Sequence, residues 1–587
     1  MRDDSPTLFT MPPGTPFLER LALTLLDDVT LGGRFAGGAD LAGIVILLPT
    51  RRAVRALGEA FLRAGGGRAL ILPTIRALGD VDEEELVIDP RGLASEALEL
   101  PPAMPALERQ FRLARMIVEG QGERETRALA LAADLGRFLD MVLTEGADLT
   151  RLADLVPQEF ADHWQITIDF LKIVTARWPE ELARLGYMEQ AERRNHLLRA
   201  QAAAWAAIPP QGPIIAAGST GSIPATAELL KIIASLPSGA VILPGLDLDL
   251  DKPSWDAIGD PGTASHPQYG MKKLLGHLHA TRADVEIWPG AGCSARGGAR
   301  AKLLSEALRP AETTEQWRTR LAALGGDLTA GLKGLTLVEA PSERDEAAAI
   351  ALMMREVLET PGKTAALVTP DRKLARRTAM ELRRWKIEVN DSGGEPLEKT
   401  PPPAFLRLVA HMVAEDLAPV ALLACLKHPL AAGGEEPGRF RQRVRYLERL
   451  LLRGPRPAPG IEGLRNALRA IPEEKRRADS FAGIESLIGR LERDLAPLTE
   501  AMTRRTALDE LVRLHAAATE RLATTKEEDG SIRLWKEESQ EGGGVQVSSQ
   551  AYSMSGIESL LNQKGSQPVW STQTGQFYAE FKSEEGR

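Results

Sequence analysis

The first residues that could do chemistry stand in a short loop near the start of the chain, PPGTPF. Thr7–Met11 is typical of a strand and a helix is predicted from Leu18 to Asp27, with Gly14 and Thr15 between them. Such a loop can cradle phosphate groups when free backbone N–H groups and a lysine face the ligand. Three of the six loop residues are prolines, which carry no N–H, and no lysine follows. We therefore interpret the loop as a vestigial nucleotide site.

Basic side chains crowd a later predicted helix, Asp371–Trp385. Six cations occupy two adjacent outer stripes of this helix, among them Arg372 and Arg376. Such a patch can hold phosphate groups with an affinity that depends strongly on salt. An ordinary solvated helix face explains the same pattern equally well, so both interpretations stay open.

No other set of residues predicts a catalytic or metal site. None of the eight histidines groups with Cys, Asp or Glu at a ligand spacing, and Cys293 and Cys425 lie far apart. The triplet Glu580-Phe581-Lys582 matches the end of one nuclease motif, but no upstream acidic partner accompanies it. We expect no cofactor and no metal in this chain.

The elements that must position these residues are clearest in Gly212–Asp247. Pro213–Ala217 and Ala240–Leu243 are short apolar runs, and apolar residues between them recur at i, i+3, i+4 and i+7 from Leu229. Two buried strands on either side of such a helix form a βαβ unit with parallel strands. Leu41–Leu48 is another apolar run of this type. The sequence therefore predicts an α/β fold built on a parallel sheet.

Helical periodicity dominates two long segments, about 106–205 and about 417–524. In the first, Trp164, Phe170 and Trp178 are interpreted as core rather than as a base-stacking platform. Between the two segments, a second α/β pattern alternates strands with helices. Its predicted strands are Leu335–Glu339, Ala365–Thr369 and Ile387–Val389, and its predicted helices are Glu343–Leu358 and Asp371–Trp385.

The second helical segment is also basic, and its densest part reads FRQRVRYLERLLLRGPRP. Arg439, Arg441, Arg443 and Arg445 alternate along it, so they cannot all share one helix face. Part of this stretch is therefore predicted to be a solvated or DNA-facing surface.

Length and composition bound the class of protein. A chain of 587 residues is long enough for about three to four domains, and 43% hydrophobic with 26% charged residues is typical of globular proteins. The net charge of −9 means that any nucleic-acid site is a local basic patch. The N-terminus has no apolar signal core, and no run of about 18 apolar residues occurs. We expect a soluble, cytoplasmic protein with reduced thiols and no membrane partner.

The order of these patterns resembles RecA-like helicases of the UvrD type. The segments PTRRA, AGSTGSIPAT and LPGLD resemble the AddB family, the second subunits of bacterial AddAB helicase–nucleases, over roughly 6–535. In such helicases an Asp-Glu pair at the end of the first strand of the central unit holds the ATP-bound magnesium. This chain has Ala216 and Ala217 at that place. The resemblance therefore implies that the fold of the helicase domain is retained but that the residues for binding and hydrolysing nucleotide are lost.

The same resemblance makes Thr50, Arg51 and Arg52 candidate phosphate contacts. In related helicases the corresponding strand end touches the DNA backbone. An ordinary solvated helix start is the alternative, and the residues alone favour neither. With Arg372 and Arg376 they make up the predicted DNA-binding set.

Mapped onto the chain, the resemblance implies two RecA-like parallel-sheet domains, the second incomplete, each with a large all-α insertion. The implied divisions are 1–105 with 206–290 for the first domain and 106–205 for its insertion, 291–332 for a linker, 333–416 for the start of the second domain, 417–541 for its insertion, and 542–587 for an atypical tail.

The function that the resemblance implies is that of a non-catalytic AddB-type subunit in double-strand break repair and homologous recombination. It would bind single-stranded DNA at duplex ends while an AddA-type partner supplies ATP-driven unwinding. An independent ATPase, helicase or nuclease is one alternative, and it needs a phosphate lysine and metal carboxylates. A helical scaffold that binds only protein is another, and salt-dependent DNA binding would exclude it.

The composition changes beyond about Gly542. Val545–Arg587 holds eight serines and six glutamines but only two alanines and two leucines. The family continues instead through the rest of the second motor domain into a nuclease. We interpret the tail as a frameshift or fusion product on a truncated AddB-type chain.

Overall fold

The computed structural model of the chain describes residues 6–27, 41–78, 100–148, 173–259, 261–292, 294–394, 396–476, 478–523, 525–526 and 532–533. Several residues for which predictions were made lie outside these ranges: Trp164, Phe170, Cys293, Val545–Arg587 and, within the last, the Glu580 triplet. The chain divides into two compact units, Met1–Glu339 and Ala340–Arg587. Among the helices of the described ranges, none is both long enough and apolar enough to cross a membrane.

The first unit is built on a six-stranded parallel sheet with the order β3-β2-β4-β5-β1-β6. Its strands are β1 (Leu8–Met11), β2 (Val45–Leu48), β3 (Thr74–Ala77), β4 (Ile214–Ala217), β5 (Gly239–Pro244) and β6 (Val285–Ile287). The α-helices in its described part are α1 (Phe17–Leu26), α2 (Arg51–Ala64), α3 (Ala106–Gln121), α4 (Glu125–Glu145), α5 (Trp178–Leu185), α6 (Gln190–Ala207), α7 (Pro224–Ser235), α8 (Lys252–Ala257), α9 (Tyr269–His277), α10 (Ala295–Ala307), α11 (Trp317–Leu324) and α12 (Gly326–Leu332).

Helices cover both faces of the sheet, which explains why β2, β4 and β5 are apolar throughout. On one face, side chains of α1 and α2 such as Leu21 and Phe61 pack against Ile46 and Ile242. On the other face, α7 packs on the sheet, with α6 and α9 against it. The predicted α/β fold with a parallel sheet is confirmed for this unit.

The predicted βαβ unit is present as β4, α7 and β5. Ile215 lies opposite Ala240 in the ladder, and Leu229 and Ile233 of α7 are fully buried. Gly239 is required where the helix returns to the sheet, because a Cβ there would stand 1.9 Å from the Ile233 carbonyl oxygen. Local periodicity was sufficient to predict this unit because its helix and strands are consecutive in the chain.

The described part of the first helical segment is held by a buried polar cluster. The Trp178 indole N–H donates to Glu189 Oε1 at 2.6 Å, and Arg109 Nε donates to the same oxygen at 3.1 Å. Burial is the main cause that raises the pKa of Glu189, and the Arg109 charge opposes it. Trp178 is buried in the core of α3, α4 and α5, as predicted.

The second unit is almost entirely helical in its described residues. Its helices are α13 (Glu343–Leu358), α14 (Arg372–Arg383), α15 (Pro401–Ala414), α16 (Pro419–Leu426), α17 (Pro437–Leu447), α18 (Gly460–Arg469), α19 (Ala478–Met502) and α20 (Leu508–Ala523). A π-helical turn, Glu448–Leu452, continues α17, and two-residue strands β7 (Thr525–Lys526) and β8 (Ile532–Arg533) pair antiparallel. The two predicted helices of the second α/β pattern form close to their expected limits and pack on each other.

The three strands predicted for that pattern are wrong for this structure. No strand forms within the described residues Leu335–Glu339, Ala365–Thr369 or Ile387–Val389. Leu337 and Val368 are 87% and 93% exposed, so neither is covered by a helix. Strand-forming residues become a sheet only when a neighbouring backbone completes their hydrogen-bond ladder, and local pattern does not reveal that neighbour.

A buried ion cluster fixes α8 to the segment that follows α10. Arg309 is completely buried; it pairs with Asp251 Oδ2 and with Glu306 Oε2, each at 2.7 Å. Asp251 also caps α8, because its Oδ1 accepts from the Ser254 N–H at 2.9 Å. Although burial opposes the charged form, the Ser254 N–H and Arg309 lower the pKa of Asp251 to about 2. Folding therefore favours the ionised form of this carboxyl group.

We expect Asp251→Asn to lower the free energy of unfolding by about 3 kcal/mol at neutral pH, because it leaves the Arg309 charge buried with one partner fewer. The pKa of Asp251 is lowered from 3.8 to about 2, so its contribution is present above pH 3.8 and is lost as the pH falls toward 2. Urea unfolding at several pH values measures this. The difference between wild type and variant should shrink below pH 3.8, whereas the exposed Asp256→Asn control should change stability little. A pH-independent difference would contradict the assignment.

Candidate functional site

The candidate site lies at the carboxyl edge of the first unit's sheet, where parallel strands place their following loops together. Met11 of β1 lies opposite Pro244 of β5, and Ala217 of β4 lies opposite Ile242. The loops after β1, β4 and β5 therefore begin side by side. Gly14, Thr15, Ala216 and Ala217, predicted as the remains of a nucleotide site, fall on or next to this edge.

The loop after β1 is a tight turn that offers few donors. The Thr15 N–H is used by the Pro12 carbonyl at 3.2 Å, and Gly14 has a φ of 87°, in the left-handed region. Helix α1 follows at once, with Pro16 as its N-cap residue and Glu19 in its first turn. The Glu19 carboxylate pairs with Arg63 at 2.9 Å. A negative charge thus stands in the first turn, where a bound phosphate would need positive potential.

Apolar side chains fill the space between the ends of β1, β2 and β4. A Cβ added to Gly218 would lie 3.7 Å from the Phe17 ring and 3.7 Å from Pro49 Cδ. Gly218 itself has a φ of 80°, and its N–H donates to the Ile242 carbonyl at 2.9 Å. The Phe17 ring and Pro49 therefore occupy the space beside β4 at this edge.

Ala216 and Ala217 are fully buried, one on each face of the sheet. Ala216 belongs to the core under α7, and Ala217 to the core under α1 and α2. A carboxylate at either position would lose its hydration within an apolar core, which is unfavourable without a partner. In the described part of the chain, no three His, Cys, Asp or Glu side chains are gathered as metal ligands.

The turn after β5 is closed by long-range contacts that sequence reasoning missed. Buried Thr10 accepts a hydrogen bond from the Leu246 N–H at 3.1 Å, and Gln268 Oε1 accepts from the Asp247 N–H at 3.0 Å. The Asp247 carboxylate accepts from the N–H groups of Asp249 and Leu250, each at 2.9 Å. Asp247 is thus occupied by its own turn. Gln268 is 21 positions away, so no local motif marked it.

Thr50, Arg51 and Arg52 are brought together at the start of α2, directly after β2. Thr50 is the N-cap residue, and its Oγ1 accepts from the Ala53 N–H at 3.2 Å. Arg52 is exposed and Arg51 is half-buried. Backbone N–H groups at a helix start and guanidinium groups both attract anions. This helix start, which adjoins the edge through Pro49, therefore has the chemistry to accept a phosphate.

The two predicted arginines of α14 differ in their surroundings. Arg372 binds both oxygens of Asp391, at 2.9 and 2.7 Å, and donates to the Gly394 carbonyl at 2.9 Å. Its pKa is raised, chiefly by the hydrogen bond with Asp391. Arg376 is exposed and has no ion pair among the described residues. Arg372 therefore holds the backbone at Gly394, while Arg376 is available to an external anion.

Comparison with known proteins gives no further guide: no family model matches this chain, and no curated protein matches it significantly.

We expect Gly245→Ala to destabilise the carboxyl edge. Gly245 has a φ of 64°, and an added Cβ would stand 3.3 Å from Pro13 Cγ. A non-glycine residue in this region costs about 1–3 kcal/mol, which urea unfolding can measure. Gly66→Ala is the matched control, because Gly66 has a φ of 61° and an added Cβ meets nothing within 4 Å there. Equal effects of the two substitutions would contradict the described contact between the loops.

Proposed function

We propose that this chain is a non-catalytic, AddB-type DNA-binding subunit of an ATP-dependent helicase–nuclease that acts in double-strand break repair and homologous recombination. One observation carries the proposal. Three loops that would form a nucleotide site in a RecA-like domain meet at one sheet edge, but Phe17, Pro49 and buried alanines occupy it. A RecA-like sheet edge without the residues that bind and hydrolyse ATP suits a subunit whose partner hydrolyses ATP.

Two features support a RecA-like first domain. Strand β5 lies between β1 and β4, so the loop after β1 and the turn after β5 are adjacent. The turn Gly245-Leu246-Asp247 belongs to the LPGLD segment that resembles the AddB family. The resemblance also implies a second RecA-like domain around α13 and α14, but the three strands that it needs do not form among the described residues, so the proposal concerns the first domain.

DNA binding is proposed to take place at cationic helix surfaces that follow strand ends. The start of α2 offers Thr50, Arg51 and Arg52, and α14 offers Arg376 on an exposed face. Arginine forms forked hydrogen bonds with phosphate oxygens, which favours binding to the backbone without regard to sequence. Single-stranded DNA from a duplex end is the proposed ligand, and an AddA-type subunit is the proposed partner.

We expect no ATP hydrolysis above background by the purified chain, with or without DNA. The reason is that the loop after β1 offers few donors and no lysine, and that alanines stand where magnesium carboxylates are needed. Steady-state phosphate release measures the rate, and binding of a fluorescent nucleotide measures the affinity. Hydrolysis at about one per second or faster, removed by Thr15→Ala, would instead establish an independent ATPase.

The DNA-binding proposal predicts that Arg51→Gln with Arg52→Gln weakens binding of single-stranded DNA for all sequences alike. The slope of log affinity against log salt should become shallower by about one to two units, because up to two phosphate contacts are lost. Fluorescence anisotropy across a salt series measures this slope.

The matched control is Arg63→Gln with Arg68→Gln, which removes the same charge near the far end of α2. The single variant Arg52→Gln, at an exposed position, serves if the double variant is unstable. The same slope in test and control variants would show that the start of α2 is an ordinary solvated surface. An absence of DNA binding by the wild type would favour the protein scaffold instead.

A further inference from the structure

A cavity in the second unit is lined by residues of α15, α18 and α19 and by the turn that follows α15. Its volume is about 440 Å³, and small-molecule sites in proteins typically occupy about 300–1,000 Å³. Val413, Leu417 and Leu495 line the cavity and are themselves buried. The cavity can therefore take the apolar part of a small ligand.

The polar side chains that line the cavity present hydrogen-bond acceptors. Three of them are the carboxylates of Asp416, Glu492 and Glu500. The others are the hydroxyl groups of Thr499 and Thr503, which donate their hydrogens to backbone carbonyls at 3.0 and 2.7 Å. A hydroxyl group whose hydrogen is used in this way still has its oxygen as an acceptor. A polar group of the ligand must therefore be a donor.

Two of the three carboxylates have no cationic partner. Glu492 pairs with Arg465 at 2.9 Å. Within the described part of the chain, neither Asp416 nor Glu500 forms an ion pair. No lysine, arginine or histidine among the described residues lines the cavity. Its uncompensated charge is therefore negative.

Helix ends add to this negative potential. Asp416 lies two residues beyond Ala414, where α15 ends, and Glu500 lies in the last turn of α19, which contains no basic residue. The carboxyl end of a helix carries a partial negative charge, so it disfavours a carboxylate and favours a cation. The start of α18 at Gly460 contributes the opposite sign, but it is one helix start against two helix ends.

The turn after α15 fixes the position of one carboxylate. Asp416 and Leu417 have φ values of 47° and 59°, which non-glycine residues rarely adopt. The Asp416 carbonyl accepts from the Gly460 N–H at 2.8 Å, which ties this turn to the start of α18. The Asp416 side chain remains exposed at the cavity. Its carboxylate is thus held in place by the backbone without an ion-pair partner.

We infer that this cavity binds a small aliphatic amine of the diamine or polyamine class. Asp416 and Glu500 hold its ammonium groups, and the buried apolar side chains pack against its alkyl chain. Charge complementarity identifies the ligand. An inorganic cation leaves the apolar lining unfilled, and a neutral molecule leaves two carboxylates unbalanced. The inference does not depend on the proposed function, because it concerns neither DNA nor nucleotide.

The test uses the full chain and isothermal titration calorimetry, with the aliphatic diamine cadaverine as the probe. The test variant is Asp416→Asn/Glu500→Gln, which keeps the shape of both side chains, and asparagine tolerates a left-handed backbone. Each lost contact is between an exposed carboxylate and a cation, so we expect the affinity to fall by about tenfold. The matched control is Glu415→Gln/Glu485→Gln, which removes the same charge from exposed positions outside the lining. It should change the affinity by less than about twofold.

Further measurements separate the cavity from its charge. Ala496→Phe places a large side chain at a lining position without changing the charge, and it should remove binding. Pentanediol has the same chain as cadaverine without ammonium groups, and it should bind about tenfold more weakly. If the double variant does not fold, Glu500→Gln alone, at an exposed position, should still lower the affinity by about threefold.

Other results would overturn the inference. If the wild type does not bind cadaverine, or if the test and control variants bind it equally well, the two carboxylates are ordinary solvated groups. Equal affinity for pentanediol would show that the cavity does not select a cation. A lysine-containing peptide that displaces cadaverine and binds more tightly would make the occupant a side chain of a protein partner. Each of these results leaves the proposed DNA binding unaffected, because that proposal concerns other residues.

Discussion

The parallel ladder that joins β4, β5 and β1 is the constraint on which the candidate site depends. Its register places Ala217 beside Ile242, and Met11 beside Pro244. Buried Thr10 holds the end of β5, because its hydroxyl donates to the Leu243 carbonyl at 3.2 Å and accepts from the Leu246 N–H. Because these bonds involve backbone and one buried hydroxyl, the three loops converge whatever side chains they carry.

At this sheet edge, apolar packing and nucleotide binding require opposite kinds of side chain. A nucleotide site needs carboxylates and open N–H groups at the edge, both of which must remain solvated or bound to ligand. The contact of Phe17 and Pro49 around Gly218 instead extends the apolar core to the edge. Because the side chain of Ala217 has no polar atom, it packs in that core without needing a ligand. The apolar packing of this edge therefore needs no ligand to complete it.

The sequence allowed the first sheet to be predicted but not the contacts that complete it. The βαβ unit of β4, α7 and β5 was predictable because periodicity and apolar runs act over neighbouring residues. Gln268 and Asp391 were missed because each closes a contact with a residue 19 to 23 positions away. The strand prediction for Leu335–Glu339 failed for a related reason. Strand propensity is a property of one segment, whereas a strand forms only when a second segment supplies its hydrogen-bond partners.

The net charge of the chain likewise does not reveal how charge is distributed locally. A net charge of −9 describes the average, yet α17 has four arginines between Arg439 and Arg445, of which Arg443 pairs with Glu435 and the other three are exposed. That concentration is tolerated because Phe440 and Val444 on the inner face supply hydrophobic stabilisation, about 1.5–3 kcal/mol for each fully buried large side chain. The repulsion along the outer face amounts to a fraction of this. Arg372 differs, since its two bonds to Asp391 give it a structural role. The fold therefore tolerates exposed arginines on a well-anchored helix without giving them a structural role.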